Sequence, residues 1–154
     1  MKVREATIED WNELYKFYVK IYRENHPLQN KDFWIWQYGN VKEGRAFICL
    51  NEKGEVVGHV GANFGNNLAW IINVYLDKEC RGKGVLRLLY NLAREYYPLA
   101  ATAANEAGLG LYRNMGWIRY YDLVRYVKIN PNIKKQTIEN VCLPIEVDLT
   151  SIAY

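Results

Sequence analysis

The sequence has few of the features that identify a protein class at once. Its three cysteines, Cys49, Cys80 and Cys142, are an odd number without the spacing of a metal site, so we expect free thiols, a reducing compartment and no bound metal. The N-terminal residues contain no apolar stretch typical of a secretory signal, and no apolar run approaches the length of a membrane span. These absences predict a soluble, cytoplasmic protein with no membrane partner.

An excess of charge of one sign is also absent. The 154 residues include 20 Lys and Arg against 17 Asp and Glu, and the longest basic run is Lys134-Lys135. Because this balance gives no continuous basic stripe, we expect no nucleic-acid partner. Half of the residues are apolar and 24% are charged, which is typical of a single globular domain with one sizeable core.

Hydrophobic periods predict mixed α/β structure. Apolar residues recur at helical spacing in four segments and alternate in others. We predict strands over residues 2–6, 46–50, 56–64, 68–76 and 99–104, one or two more within 117–129, and helices over 7–23, 31–38, 85–97 and 105–115. Within 68–76 the alternation predicts a regular strand.

The order of these elements predicts an α/β fold with a mixed, mostly antiparallel central sheet flanked by helices. Residues 1–129 are expected to form this domain. Residues 130–154 are expected to be a C-terminal tail that either adds an edge strand or wraps the surface.

A glycine-rich, basic loop separates strand 68–76 from the next helix. The loop reads Arg81-Gly82-Lys83-Gly84, and the helix begins with Val85, Leu86 and Arg87. Amides at a helix N-terminus have no intrahelical partner, and glycines let an anion approach them, so this layout favours phosphate binding. The plainer alternative is a turn with a solvated basic patch. GxxxxGK[ST] and a third glycine are absent, which excludes a P-loop and a dinucleotide-binding fingerprint.

Two segments resemble the motifs of one family. Residues 81–86, RGKGVL, resemble the [QR]xxGx[GA] motif of the GNAT family of N-acetyltransferases, and residues 105–117, NEAGLGLYRNMGW, resemble that family's N..A..LYe..GF pattern. Leu86 stands where the family has Gly or Ala, although its backbone amide remains. The resemblance covers about residues 45–129, and the two motifs at this separation are more specific than either alone.

The resemblance implies a site for acetyl-CoA. In the family, the loop and helix start hold the pyrophosphate, and the pantetheine arm lies between two splayed strands, here 68–76 and 99–104. The residues that the resemblance assigns to acetyl-CoA are Val74, Tyr75, Leu76, Arg81, Gly82, Lys83, Gly84, Val85, Leu86, Arg87 and Asn105.

The resemblance also implies the chemistry. An acetyl group passes directly from acetyl-CoA to a primary amine of a small molecule, with an amino sugar as one candidate, and Tyr112 gives a proton to the departing thiolate. The general base stays open between His26, His59 and a water chain. The alternative function is a non-catalytic acyl-CoA-binding or regulatory module, and the chain is expected to be a monomer or a homodimer.

A dense aromatic cluster precedes the first hairpin. It consists of Phe33, Trp34, Trp36 and Tyr38. We expect these side chains to pack in the core, and the alternative is a stacking wall for the acceptor.

Overall fold

A five-stranded sheet lies at the centre of the computed structural model, which describes residues 1–103 and 106–120. The strands are β1 (Lys2–Glu5), β2 (Gly44–Leu50), β3 (Val56–Gly65), β4 (Leu68–Leu76) and β5 (Leu99–Ala101). The α-helices within the described residues are α1 (Trp11–Ile21), α2 (Lys31–Tyr38), α3 (Val85–Arg94) and α4 (Glu106–Asn114). Short 3₁₀ turns cover Ile8–Asp10, Pro27–Gln29 and Lys78–Cys80.

The strands follow one another across the sheet in chain order. β1 to β4 are antiparallel neighbours, and β5 pairs with β4 in parallel. Antiparallel strands can be joined by short turns, whereas a parallel pair needs a crossover, and α3 forms that crossover. This mixed, mostly antiparallel sheet flanked by helices confirms the predicted fold class.

Each face of the sheet buries its own core. The α3-side core includes Phe47, Val60, Leu89 and Tyr90, and the α1/α2-side core includes Leu14, Tyr18, Trp34 and Ile48. Successive side chains of a strand point to opposite faces, so the neighbours Phe47 and Ile48 fall into different cores. Two ligands that approached the sheet from its two faces would therefore contact different cores.

Local signals start and stop the helices close to the predicted positions. The Asn30 side chain accepts hydrogen bonds from the N–H groups of Asp32 and Phe33 at 2.8 and 3.1 Å, and so caps α2, whose predicted span is confirmed. Gly116 has a φ of +75° just after α4 and is therefore the glycine that ends this helix.

The first helix begins differently from the prediction. Thr7 is followed by the 3₁₀ turn Ile8–Asp10 before α1 starts. Asp10 is fixed in this turn by two hydrogen bonds of 2.6 Å from the Arg4 guanidinium. This bidentate pair ties the turn to β1 and favours the tighter geometry.

Only some of the elements predicted after residue 98 lie within the described residues. β5 ends at Ala101, so the strand predicted over 99–104 is shorter than expected. Residues 117–120 form no strand, while 121–129 and the tail 130–154 lie outside the described residues. In the described part of the chain, no helix has the length and apolarity needed to cross a membrane.

β4 is not the regular strand that its sequence predicts. His59 of β3 pairs with Tyr75, but Gly61 pairs with Ile72, so β4 carries one extra residue between these positions. Asn73 lies in this bulge with a left-handed φ of +49°. After the bulge the alternation changes phase: Val74 and Leu76 join the α3-side core, as Ala69 and Ile71 do, and Tyr75 packs with Ile72 on the other side.

His59 is fully buried opposite the bulge. Its ring makes edge contacts with Tyr18 and Tyr38, at centroid distances of 5.4 and 5.9 Å. Its Nδ1 lies 2.8 Å from the Asn73 carbonyl oxygen. Burial lowers the pKa of His59 to about 4, so the ring is neutral at physiological pH.

We expect the buried His59 to destabilise the protein as the pH falls from 6.5 to about 4. In the unfolded chain its pKa is the ordinary 6.5, whereas burial lowers the folded pKa to about 4. The unfolded state therefore binds the proton first, and the free energy of unfolding falls by about 3 kcal/mol across this window. Above pH 6.5 both states are neutral and this contribution to stability is complete.

Denaturant unfolding of the wild-type protein and His59→Phe at several pH values measures this effect. The variant should lose clearly less stability between pH 6.5 and 4. His26, whose pKa burial also lowers, is present in both proteins and cancels. Parallel pH profiles of the two proteins would show that the pKa of His59 is the same in the folded and unfolded states, and would contradict this prediction.

Candidate functional site

The loop after β4 and the first turn of α3 form a cradle of backbone groups. Gly82 and Gly84 have φ angles of +73° and +75°, a conformation that residues with side chains rarely adopt. A Cβ atom at either position would meet no atom of the described chain within 4 Å, so open space lies beside them. Gly84 is the N-cap of α3 and offers no side chain to cap it, which leaves the first amides of the helix for an external acceptor.

Basic side chains surround this cradle. Arg81 is fixed, because its Nε donates to the Leu76 carbonyl oxygen at 3.0 Å and its guanidinium lies 5.9 Å from the Tyr75 ring centroid. Lys83 and Arg87 are exposed, and neither forms an ion pair within residues 1–103 and 106–120. Together with the positive end of the helix dipole, these charges favour a bound anion.

The acidic residue nearest to β4 is engaged elsewhere. The Asp77 carboxylate pairs with Lys20 of α1 at 2.8 Å. This pair ties α1 to the end of β4 and reduces the negative charge beside the cradle.

A gap opens between β4 and β5 beyond the third pair of residues. The two strands pair only at Ala69–Leu99, Trp70–Ala100 and Ile71–Ala101, although β4 continues to Leu76. Within the described residues β5 therefore pairs with none of the last five residues of β4, and the peptide groups on that side have no partner in β5. The bulge at Asn73 lies just past the last pair.

The predicted cofactor residues of β4 divide between the two faces at this gap. Val74 and Leu76 pack in the α3-side core, and Tyr75 packs on the α1/α2 side, 5.7 Å from the Phe17 ring. On α3, the Val85 side chain is buried and Leu86 is half-buried against the α3-side core. The structure thus brings the β4 segment and the loop together at one end of the sheet.

Tyr112 lies on α4 at the border of the α3-side core. Its ring stacks on Trp117 at 4.7 Å and lies 6.4 Å from Tyr90 of α3. Burial and the neighbouring Tyr112 raise the pKa of Tyr90 well above its ordinary value, so Tyr90 stays a neutral phenol. Val74, Leu86 and Tyr112 all border the same core, whereas Asn105 lies outside the described residues.

An open groove of about 520 Å³ lies on the other side of the sheet, where the segment after α1 meets α2. In the described part of the chain its lining residues include no Asp, Glu, Lys or Arg; they are Tyr15, Asn25, His26, Pro27, Gln29, Asn30 and Phe33. Aromatic faces and amide groups therefore dominate it. Such a surface suits a hydroxylated, weakly charged molecule better than a polycation.

The aromatic cluster of residues 33–38 is split between core and surface. Trp34 and Tyr38 are buried, which confirms the expected core packing for these two. Trp36 is 71% exposed and contacts Phe33, which lines the groove, at a centroid distance of 5.3 Å. Core packing is therefore the wrong interpretation for Trp36, because α2 turns this side chain away from the sheet.

Neither histidine is presented as a general base. His26 Nδ1 accepts a hydrogen bond from the Leu28 N–H at 3.2 Å, so in the neutral ring the proton is on Nε2, which can only donate. His59 is enclosed in the α1/α2-side region without solvent exposure. A water-mediated base is the alternative that this geometry leaves. In the described residues, no group of His, Cys, Asp or Glu side chains is placed to hold a metal ion.

Sequence reasoning did not find the residues that shape β4. Asn73 looks like an ordinary strand position, and His59 and Tyr38 lie far from it in the sequence. The available signal is an asparagine inside an apolar strand, since Asn adopts the left-handed conformation more readily than other residues with a Cβ. Its partners follow only from the folded structure.

Comparison with known proteins identifies the family. The family model described as "Acetyltransferase (GNAT) family" matches residues 11–117, which include α1, the loop, α3 and α4. No curated protein matches the chain in sequence.

Solved structures with the same fold include several acetyltransferases. An aminoglycoside 6'-N-acetyltransferase from Acinetobacter baumannii has a TM-score of 0.67 and 12% identity over 84% of this chain and 98% of that chain. A glucosamine-6-phosphate N-acetyltransferase from Arabidopsis thaliana has a TM-score of 0.62 and 12% identity over 82% of this chain and 98% of that chain. A Trypanosoma brucei acetyltransferase has a TM-score of 0.60 and 17% identity over 82% and 99%. At these identities the likeness concerns the fold.

The placement of Leu86 generates a stability prediction. Its side chain is half-buried against the α3-side core, so Leu86→Ala should lower the free energy of unfolding by about 1–2 kcal/mol, less than a fully buried leucine would. Leu88→Ala is the matched control, because Leu88 lies on the same helix and is 50% exposed. Denaturant unfolding should give a clearly smaller loss for the control, and equal losses would contradict the packing of Leu86.

Proposed function

This chain belongs to the acetyltransferase (GNAT) family of acyl-CoA-dependent N-acyltransferases, and we propose that it transfers an acetyl group from acetyl-CoA to the primary amine of a small molecule. The observation that carries this proposal is the cradle formed by Gly82, Gly84 and the uncapped start of α3, next to the gap between β4 and β5. One matching structure, an aminoglycoside N-acetyltransferase, was solved with CoA.

The pyrophosphate is assigned to the cradle. The amides of Val85, Leu86 and Arg87 are the first of α3, and an anion there accepts hydrogen bonds that the helix itself cannot make. Lys83 and Arg87 add charge from the two sides. Leu86 keeps its amide and directs its side chain to the core, so its bulk does not fill the cradle.

The pantetheine arm is assigned to the gap between β4 and β5. Its two amide groups need donors and acceptors, and the peptide groups of β4 around Val74 and Tyr75 on the side that β5 leaves unpaired offer both. Arg81 already holds the Leu76 carbonyl oxygen and so fixes the turn from β4 into the cradle. The thioester then lies towards the bulge, with an amide of β4 to polarise its carbonyl oxygen.

The reaction is a direct transfer. The neutral amine of the acceptor attacks the thioester carbon, a C–N bond forms, and the C–S bond breaks. Tyr112 gives its phenolic proton to the departing CoA thiolate, and water carries the proton released by the amine to solvent. The proton on Tyr112 is then restored from solvent.

The acceptor is assigned to the groove beside α1 and α2, and we favour an amino sugar. Tyr15 and Phe33 offer aromatic faces for a sugar ring, and Asn25, Gln29 and Asn30 offer hydrogen bonds to hydroxyl groups. A polycationic aminoglycoside would meet no carboxylate among the described lining residues.

CoA thiol should therefore be released faster with glucosamine as the acceptor than with a polycationic aminoglycoside at equal concentration.

Acetyl-CoA binding tests the cradle with a matched pair of glycine variants. Gly84 and Gly54 both have a positive φ and open space at Cβ, but Gly54 lies in the β2–β3 turn. Alanine at either position should cost similar stability through backbone strain, about 1 kcal/mol. Only Gly84→Ala should weaken acetyl-CoA binding, by about tenfold or more, because its methyl group enters the open space beside the first amides of α3 and keeps the phosphate from them.

Calorimetric titration with acetyl-CoA measures both variants. Equal affinities for Gly84→Ala and Gly54→Ala would remove the cradle from the cofactor site. Binding by the wild-type protein without thiol release across an amine panel would favour the non-catalytic acyl-CoA-binding alternative.

The role of Tyr112 has its own test. Tyr112→Phe keeps the stack on Trp117 but removes the proton, so kcat should fall by at least about tenfold with little change in acetyl-CoA affinity. Tyr97→Phe is the control, because Tyr97 lies at the surface after α3, and its kcat should stay at the wild-type value. A Tyr112→Phe variant with wild-type kcat would exclude Tyr112 as the acid.

A further inference from the structure

The bulge of β4 is held by two side chains that the proposed reaction does not use. We propose that His59 and Tyr38 are positioning residues, which together fix Asn73 in its left-handed conformation. They thereby keep open the gap between β4 and β5, which is called the slot below. This inference rests on the proposed function, because it concerns the slot that is assigned there to the acyl donor.

Asn73 needs support to keep this conformation. A φ of +49° is unfavourable for a residue with a Cβ atom. The bulge also interrupts the ladder between β3 and β4, between the pairs Gly61–Ile72 and His59–Tyr75. Other contacts must therefore offset both costs.

Two hydrogen bonds supply that support from the same side of the sheet. His59 Nδ1 lies 2.8 Å from the Asn73 carbonyl oxygen, and the Asn73 side-chain amide donates to the Tyr38 hydroxyl at 2.9 Å. Because a carbonyl oxygen only accepts, His59 carries its proton on Nδ1 and donates it. One bond holds the main chain of Asn73, and the other holds its side chain.

The space around these bonds is shaped for them. A Cβ atom on Gly61 would collide with the Tyr38 hydroxyl, so only glycine at this position of β3 lets Tyr38 reach Asn73. The His59 ring is held between Tyr18 and Tyr38 by edge contacts. Trp34 in turn donates to the Tyr18 hydroxyl at 3.1 Å, which fixes Tyr18 against the His59 ring.

A histidine at position 59 is not what stability alone would favour. His59 Nε2 is buried and has no hydrogen-bond partner in the described part of the chain. An unsatisfied buried polar atom is destabilising, and a phenylalanine ring would avoid it. The benefit of histidine here is the Nδ1 donor, and that donor acts on Asn73.

The bulge in turn determines the slot. Pairing between β4 and β5 ends at Ile71–Ala101, two residues before Asn73. The extra residue shifts the phase of β4, so that Val74 faces the α3-side core and Tyr75 faces the opposite one. Without the bulge a one-residue slip would reverse these directions and the peptide groups between them.

Acetyl-CoA titration of His59 variants tests the inference. His59→Phe fills the same space without the donor and should raise the Kd for acetyl-CoA about tenfold. His59→Asn keeps a donor near the position of Nδ1 and should stay within about threefold of the wild-type Kd. A merely structural role would leave the Kd of folded His59→Phe at the wild-type value, whatever the change in its free energy of unfolding, and that result would overturn the inference.

Variants of the bulge residue provide a second comparison. Asn73→Gly can adopt a positive φ without the Tyr38 bond and should bind acetyl-CoA within about threefold of wild type. Asn73→Val is strongly disfavoured there and should bind at least about tenfold more weakly. Equal binding by the two variants would separate the bulge from the slot and overturn the inference.

Failure of the proposed function would be distinguishable. If the wild-type protein does not bind acetyl-CoA, the function is wrong, and backbone chemical shifts of ligand-free His59→Phe and Tyr38→Phe then decide the positioning role. Loss of the left-handed signature at Asn73 in either variant supports it. A left-handed Asn73 in both variants overturns it whatever the ligand result.

Discussion

The hydrogen bond from the buried His59 ring to the carbonyl oxygen of Asn73 is the contact on which the site depends. It holds one residue of a central strand in a conformation that the strand would otherwise avoid. That residue lies where β4 leaves β5, so the same contact separates a packed sheet from an open slot. The side chains beyond it change face, and the loop that follows starts from this altered strand.

The two ends of the proposed site consist of different chemical groups. The proposed cofactor end consists mainly of backbone: uncapped amides, two glycines with positive φ and the edge of β4 that β5 leaves unpaired in the described residues. Backbone groups recognise phosphates and amides without depending on side-chain identity, which is why Leu86 can replace a small residue there. The proposed acceptor end consists of side chains on α1, α2 and the segment between them, so specificity could change at that end while the cofactor end stays constant.

Local signals in the sequence were sufficient for most of the fold. Asn30 caps the start of α2, and Gly116 follows the end of α4. Both act through neighbouring residues, and the hydrophobic periods indicate where the strands lie. The bulge at Asn73 has only the asparagine itself as a local signal, because the residues that contact it, His59 and Tyr38, are 14 and 35 residues away. The early end of β5 has the same origin, since a strand stops pairing where its neighbour turns away. Trp36 was misassigned because helical position alone does not say which side faces the sheet.

We propose that acyl-CoA binds jointly to the loop before α3 and to the edge of β4 that β5 leaves unpaired. The most direct measurement is a titration of ¹⁵N-labelled protein with acetyl-CoA, followed through the backbone amide signals. We expect the amide signals of Gly82 to Arg87 and of Val74 to Leu76 to shift saturably, with the same apparent Kd. Saturable binding that leaves both segments unshifted, or no binding at millimolar acetyl-CoA, would contradict it.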